Sequence, residues 1–224
     1  MANVLRNLDW SIITDALLTI IPALIVITLH ELSHGLVAYK LGDRTAKDMG
    51  RLSLNPLRHL DIMGLAMMVI FRFGWAKPVP VDMRNFKNPT RGMALTALAG
   101  PVCNFVLSAV FFLLYGLLFT PLVRSTVGGY VLQMLSAGGY LSAALGVFNF
   151  IPIPPLDGSK VLFSLVSDET YSKLMRYERY GMIILLIAIW TGVLRRPLNT
   201  ATTFIVEQFM YIAQWANRIT QAII

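Results

Sequence analysis

Residues 16 to 39 read ALLTIIPALIVITLHELSHGLVAY, and Glu31 is their only formal charge. As one helix this stretch extends roughly 36 Å, enough to cross a bilayer. Its polar residues are grouped, because His30, Glu31, Leu32, Ser33 and His34 spell H-E-x-x-H. Residues four apart share a helical face, so His30 and His34 can offer two imidazoles to one zinc ion while Glu31 sits beside it. These are the parts of a metalloprotease, set inside a membrane span. An ionisable residue at depth costs roughly 2.5 to 3.5 kcal/mol on insertion scales, so three adjacent ones need a partner or a water-filled cavity. A zinc ion meets that need; the plainer reading is a polar cluster that ties helices together.

The rest of the chain agrees with a membrane setting. Of 224 residues, 56% are hydrophobic and only 14% charged, and the mean hydropathy is +0.63, well outside the composition of ordinary soluble domains. No hydrophilic stretch is long enough for a soluble domain and no repeat is present, so residues 1–224 read as a single integral membrane domain. The first apolar run carries the H-E-x-x-H and lacks a strongly basic leader, which argues against a cleaved signal peptide. Cys103 is the only cysteine. An intramolecular disulfide and a C-x-x-C metal site are therefore excluded, and any metal must be held by histidine and carboxylate. The net charge of +7 reports topology through the positive-inside bias rather than nucleic-acid binding, which is not expected.

Working outward, spans are expected at about 12–39, 92–120 and 128–152. A fourth, at about 180–195, crosses only if Arg179, Arg195 and Arg196 snorkel from its ends. Residues 62–71 are apolar but amount to half a helical crossing, so the region 60–82 reads as a re-entrant or β-hairpin element. If it does not cross, the loops 40–91 and 157–180 share one side with ten and four of the nineteen Lys and Arg. A crossing there would divide the cations evenly and erase the bias. The non-crossing arrangement places both basic loops in the cytoplasm and the H-E-x-x-H towards the cytoplasmic side, roughly 10 Å below that surface at 1.5 Å per residue. Residues 203–222 form an amphipathic helix, with Glu207, Tyr211, Gln214, Arg218 and Gln221 on one face, lying on the membrane surface or against the bundle. The expected fold is an all-α membrane protein, a polytopic transmembrane helix bundle with that small element between its first two spans.

Hydrolytic zinc usually has three protein ligands and a position for water. His59 is the only other histidine and lies in a loop beside Asn55, Pro56 and Asp61. Asp157 is the better third ligand, because it follows the third span at the level of the H-E-x-x-H. Its setting, Asn149-Phe150-Ile151-Pro152-Ile153-Pro154-Pro155-Leu156-Asp157-Gly158, breaks the helix with three prolines and frees backbone to shape a cavity.

These two motifs on separate spans resemble the site-2 protease family, the zinc intramembrane metalloproteases. His30 to His34 is similar to its first motif, and Asn149 to Gly158 to its N-x-x-P-x-P-x-L-D-G motif. Asn55-Pro56 with His59, the stretch from Gly74 to Val81, and Ala99-Gly100-Pro101 followed by Asn104 also resemble the compact prokaryotic members. Neither a PDZ insertion nor a nucleotide-sensing domain is expected, and the helix that precedes the H-E-x-x-H span in larger members is missing. The resemblance implies one Zn2+ per chain, held by His30, His34 and Asp157, with Glu31 as general base and Asn149 binding or polarising substrate. A helix-capping or interhelical hydrogen bond is the structural alternative for Asn149. His59 and Asn104 are candidates for supporting a ligand or touching substrate.

The implied activity is hydrolysis of peptide bonds in or near transmembrane segments of membrane-protein substrates, in regulated intramembrane proteolysis. Residues 75–82, with prolines at 78 and 80, read as an edge strand or re-entrant loop to which an unwound substrate segment can add. A catalytically silent zinc-containing scaffold or chaperone is the alternative, and the intact Glu31 argues against it. A metal transporter would want ionisable groups along the second and third spans, which have none. Expected partners are transmembrane substrates and the lipid bilayer. Small surfaces at Ser108, Gly116, Gly128, Gly129, Gly138, Gly139 and Ser142 suit a homo-oligomer or packing within one bundle.

Overall fold

Helix α1 (Trp10–Lys40) carries the H-E-x-x-H three-quarters of the way along its length. In the computed structural model, which describes residues 10–64, 76–176 and 178–224, it is followed by a one-turn helix α2 (Thr45–Asp48) and a loop. Helix α3 (Pro89–Leu122) starts where the Asn88 side chain accepts a hydrogen bond from Arg91 N and Pro89 takes the first helical position, a place that needs no N–H. After only three residues the chain returns in α4 (Thr126–Asn149), which Ser125 caps by accepting from Gly128 N. Ala16–Lys40, Pro89–Leu122 and Thr126–Asn149 are each long and apolar enough to cross a membrane. The protein is thus an all-α polytopic membrane protein. The chain leaves the helical path after Asn149, and with prolines at 152, 154 and 155 it cannot resume until α5 (Asp157–Phe163).

Between the first two spans, the one sheet-like pairing among the described residues is an isolated antiparallel bridge between Leu60 and Ala76. Most of the expected re-entrant or hairpin element, residues 65–75, lies outside the described residues. Short helix α6 (Asp168–Arg176) leads to α7 (Glu178–Trp190). The 180–195 segment is helical only as far as Trp190; Gly192 then adopts φ 72°, in the left-handed region open to glycine, and the chain bends by 85° into α8 (Arg195–Ile223). The amphipathic C-terminal helix begins eight residues before the expected 203. It packs against the bundle through buried Thr202, Ala213 and Ala216, leaving Glu207, Tyr211, Gln214 and Arg218 exposed.

Helix α3 is the hub, contacting α1, α4 and α8. Lipid tails are as apolar as leucine, so spans associate through close packing and hydrogen bonds rather than water exclusion. Gly139 of α4 lies so near α3 that a Cβ would stand 2.7 Å from the Phe112 ring. That proximity lets Ser108 Oγ donate to Gly139 O at 2.7 Å and Ser142 Oγ donate to Asn104 O at 2.8 Å, both fully buried. Along the opposite side of α3, Val102, Val106, Val110, Leu114 and Leu118 are exposed at every fourth position. This is a continuous apolar ridge of the kind a bilayer covers. On α8, Thr120 Oγ1 donates to Asn217 Oδ1 at 2.7 Å and Thr220 Oγ1 donates to Leu117 O at 3.2 Å.

One carboxylate fixes the loops over the end of α1. Asp43 is fully buried and accepts from Thr45 N at 3.0 Å, Asp82 N at 2.8 Å and Asn85 Nδ2 at 2.8 Å, as well as from Thr45 Oγ1. Burial alone would raise its pKa, but the donors of Thr45, Asn85 and Asp82 outweigh it and hold the carboxyl below its ordinary value. The segment that leads to Asp82 is thereby drawn across the H-E-x-x-H.

Candidate metal centre and catalytic cleft

The i, i+4 spacing on α1 places His30 Nε2 3.1 Å from His34 Nε2, with the rings at 89° to each other. Asp157, at the first position of α5, brings Oδ2 to 3.4 Å from His30 Nε2 and 3.2 Å from His34 Nε2. All three side chains are largely buried. A tetrahedral zinc with bonds of about 2.0 to 2.1 Å separates its ligand atoms by about 3.3 Å, so this donor set fits zinc with a fourth position left over. Among the described residues it is the only group of three His, Cys, Asp or Glu with such a geometry.

The far sides of the imidazoles are held as well. His34 Nδ1 lies 2.7 Å from Thr96 O, a carbonyl that can only accept, so Nδ1 carries the proton and Nε2 keeps its lone pair for the metal. The Asn104 amide faces His30 Nδ1 at 3.0 Å through Nδ2, while Asn104 Oδ1 is buried without a partner among the described residues. Amide nitrogen and oxygen are interchangeable by a flip, and the turned amide would accept from His30 Nδ1–H, leaving Nε2 free for zinc. Gly100 of α3 is the close approach that makes this packing fit. A Cβ there would overlap His34 Nε2 and stand 2.5 Å from His30 Cε1.

The three donor residues open on a cavity of about 320 Å3 that Glu31, Val79, Asn149 and Lys160 also line. Glu31 Oε2 accepts from Val79 N at 2.9 Å. Pro78 and Pro80 have no N–H, so Val79 is the single backbone donor of that triplet and it is spent on Glu31. Asn149 ends α4 at the cavity, with Nδ2 donating to Leu145 O at 3.0 Å. His59 is not among the cavity-lining residues. It is fully buried in the loop, with Nε2 2.8 Å from Ser53 O and its carbonyl accepting from Lys77 N at 2.9 Å.

The sequence reading did not name Lys160 and Thr96, which are among the lining residues. Lys160 stands three after Asp157 on the same face of α5, a spacing visible in the sequence. Thr96 contributes through its carbonyl, which no side-chain pattern announces.

The chain matches the model of Peptidase family M50 over residues 18–194. It is 39% identical to a Bacillus subtilis protein named "Putative zinc metalloprotease YwhC", over 87% of this chain and 92% of that one. It is 29% identical to "Putative zinc metalloprotease Rip2" of Mycolicibacterium smegmatis, over 87% and 74% of the two chains. No solved structure matches it significantly.

Proposed function

This chain belongs to peptidase family M50, the site-2 protease family, and is a zinc metalloprotease of the membrane; we propose that it hydrolyses peptide bonds in or near transmembrane segments of other membrane proteins, as the protease of a regulated intramembrane proteolysis. The observation that carries this reading is the cavity. Its two histidine donors and Glu31 project from Ala16–Lys40, and its walls include α3 and α4, the other two helices long enough to span. A cavity with such walls suits a peptide bond delivered from within the bilayer or at its edge.

In this reading His30, His34 and Asp157 hold the zinc. Bound zinc supplies Lewis acidity, bringing the pKa of water to about 7 and polarising a carbonyl oxygen. Glu31 is the general base, taking a proton from the attacking water and returning it to the departing amine. Val79 N–H fixes one Glu31 oxygen and so aims the other into the cavity. Asn149 stabilises negative charge on the scissile carbonyl oxygen, and Asn104 and Thr96 orient the two imidazoles. His59 has a scaffolding role in the loop. The basic loops favour a cleft opening towards the cytoplasm.

Cleavage of membrane-embedded single-span proteins by the purified enzyme tests the proposal. Glu31→Gln is expected to retain zinc and lose about 10²- to 10⁴-fold in rate, the usual contribution of a general base. Cleavage of soluble peptides with no turnover of any membrane-embedded substrate would overturn the intramembrane assignment.

A further inference from the structure

A second cavity, of about 570 Å3, lies on the loops that follow α1 and is bounded by Asp48, Met49, Arg51, Arg58, Leu60 and Lys77. It shares no lining residue with the catalytic cleft. Three cations face one carboxylate there, and among the described residues no ion pair joins them. Arg51 is the informative member. It is only 8% exposed, its Nη2 donates to Lys77 O at 2.7 Å, and its Nε is buried with no partner among the described residues. A buried guanidinium N–H without an acceptor is costly, and an anionic oxygen is the partner that best removes the cost. Arg58 is exposed and is anchored by Nη1 donating to Gly50 O, so its charge is held at the mouth. Lys77 is exposed too.

The surroundings select among anions. Met49 and Leu57, which line the cavity with these cations, are 63% and 72% exposed, and Leu54 on the same loop is 70% exposed, an arrangement costly in water and favourable where headgroups meet acyl chains. The loop also begins directly at the end of a span, with Lys40, Arg44 and Lys47 leading into it, as in juxtamembrane segments drawn to anionic lipid.

We propose that this pocket binds the phosphate group of an anionic phospholipid, with Arg51, Arg58 and Lys77 on the phosphate and Leu54 and Leu57 against the acyl chains. The consequence reaches the catalytic cleft through one short strand of chain. Arg51 holds the carbonyl of Lys77, and two residues further on Val79 holds Glu31. An occupied pocket thus steadies the segment that aims Glu31, and an anionic leaflet supports the enzyme.

The test compares the full chain in nanodiscs of phosphatidylcholine with and without phosphatidylglycerol, reading lipid retained after detergent exchange by native mass spectrometry and thermal stability. Wild type is expected to retain phosphatidylglycerol and to unfold at higher temperature in its presence. Replacing Arg58 and Lys77 together by Gln should weaken retention about thirtyfold, from about 1 kcal/mol per cation near the surface, without lowering stability in phosphatidylcholine alone. Arg51→Lys keeps the charge but removes Nε, and should also lose retention. Equal retention by these variants would overturn the proposal. A stability gain from inorganic phosphate equal to that from phosphatidylglycerol would assign the pocket to a free anion and overturn the lipid. Loss of affinity for acidic substrate segments with lipid retention intact would assign it to peptide and overturn it as well.

Discussion

In the proposed metal centre, Asn104 and Gly100 bring in a helix that carries none of the three donor residues. If Asn104 fixes His30 through its oxygen, Asn104→Ala should weaken zinc binding about 10- to 100-fold, the usual effect of losing a partner behind a ligand, and Asn104→Asp should restore much of it. Competition with a chelator measures both. At Gly100, a methyl group has no room beside the imidazoles of His30 and His34. Gly100→Ala should strip most of the bound zinc while leaving the helix intact, since alanine favours a helix over glycine by about 1 kcal/mol. Elemental analysis beside circular dichroism checks this, and full zinc occupancy would contradict the packing. The residue types of the site were legible because H-E-x-x-H is a local spacing. The Thr96 carbonyl behind His34 was not, because any residue would supply it.

At the scale of elements, Asp43 joins the end of α1 to the segment that carries Val79. Asp43→Asn removes the charge from a buried acceptor of several hydrogen bonds, each worth roughly 1.5 to 3 kcal/mol when charge-assisted, so a loss of at least about 2 kcal/mol is expected in detergent unfolding experiments. The pH dependence has a definite sign. The folded carboxyl titrates below its ordinary value, so its contribution is complete above the unfolded pKa of about 3.9 and disappears as pH falls through the lower folded value. The wild-type advantage should therefore be level near neutrality and shrink below about pH 4; an advantage that grows in acid would contradict the assignment. Element existence followed from hydropathy, while element ends did not. The bend at Gly192 cuts an apolar run that composition alone extends to Leu194, and α8 begins upstream of its amphipathic pattern because its first turns need only helical backbone.

For the whole molecule, the cation asymmetry predicts which face of the bundle meets the cytoplasm. In a Cys103→Ser background, a cysteine introduced as K47C should react with an impermeant maleimide only in opened cells, and R124C should react in intact cells. The reverse pattern would turn the protein over and place the cleft outside. By itself the sequence determined that this is an α-helical membrane protein with hydrolytic zinc chemistry. Apolar length sets a span, motif spacing sets a helical face, and both are properties of contiguous residues. Only the tertiary structure decided which distant groups meet. Asp157 lies 127 positions from His30, Asn104 lies 74 from it, and Val79 lies 48 from Glu31. Those meetings depend on how closely α1, α3 and α4 approach, which glycine and serine contacts between helices settle and no local pattern encodes. His59 stands in the loop where its sequence neighbours put it, but its partners, Ser53 O at Nε2 and Lys77 N at its carbonyl, are likewise set by the fold and not by any local spacing.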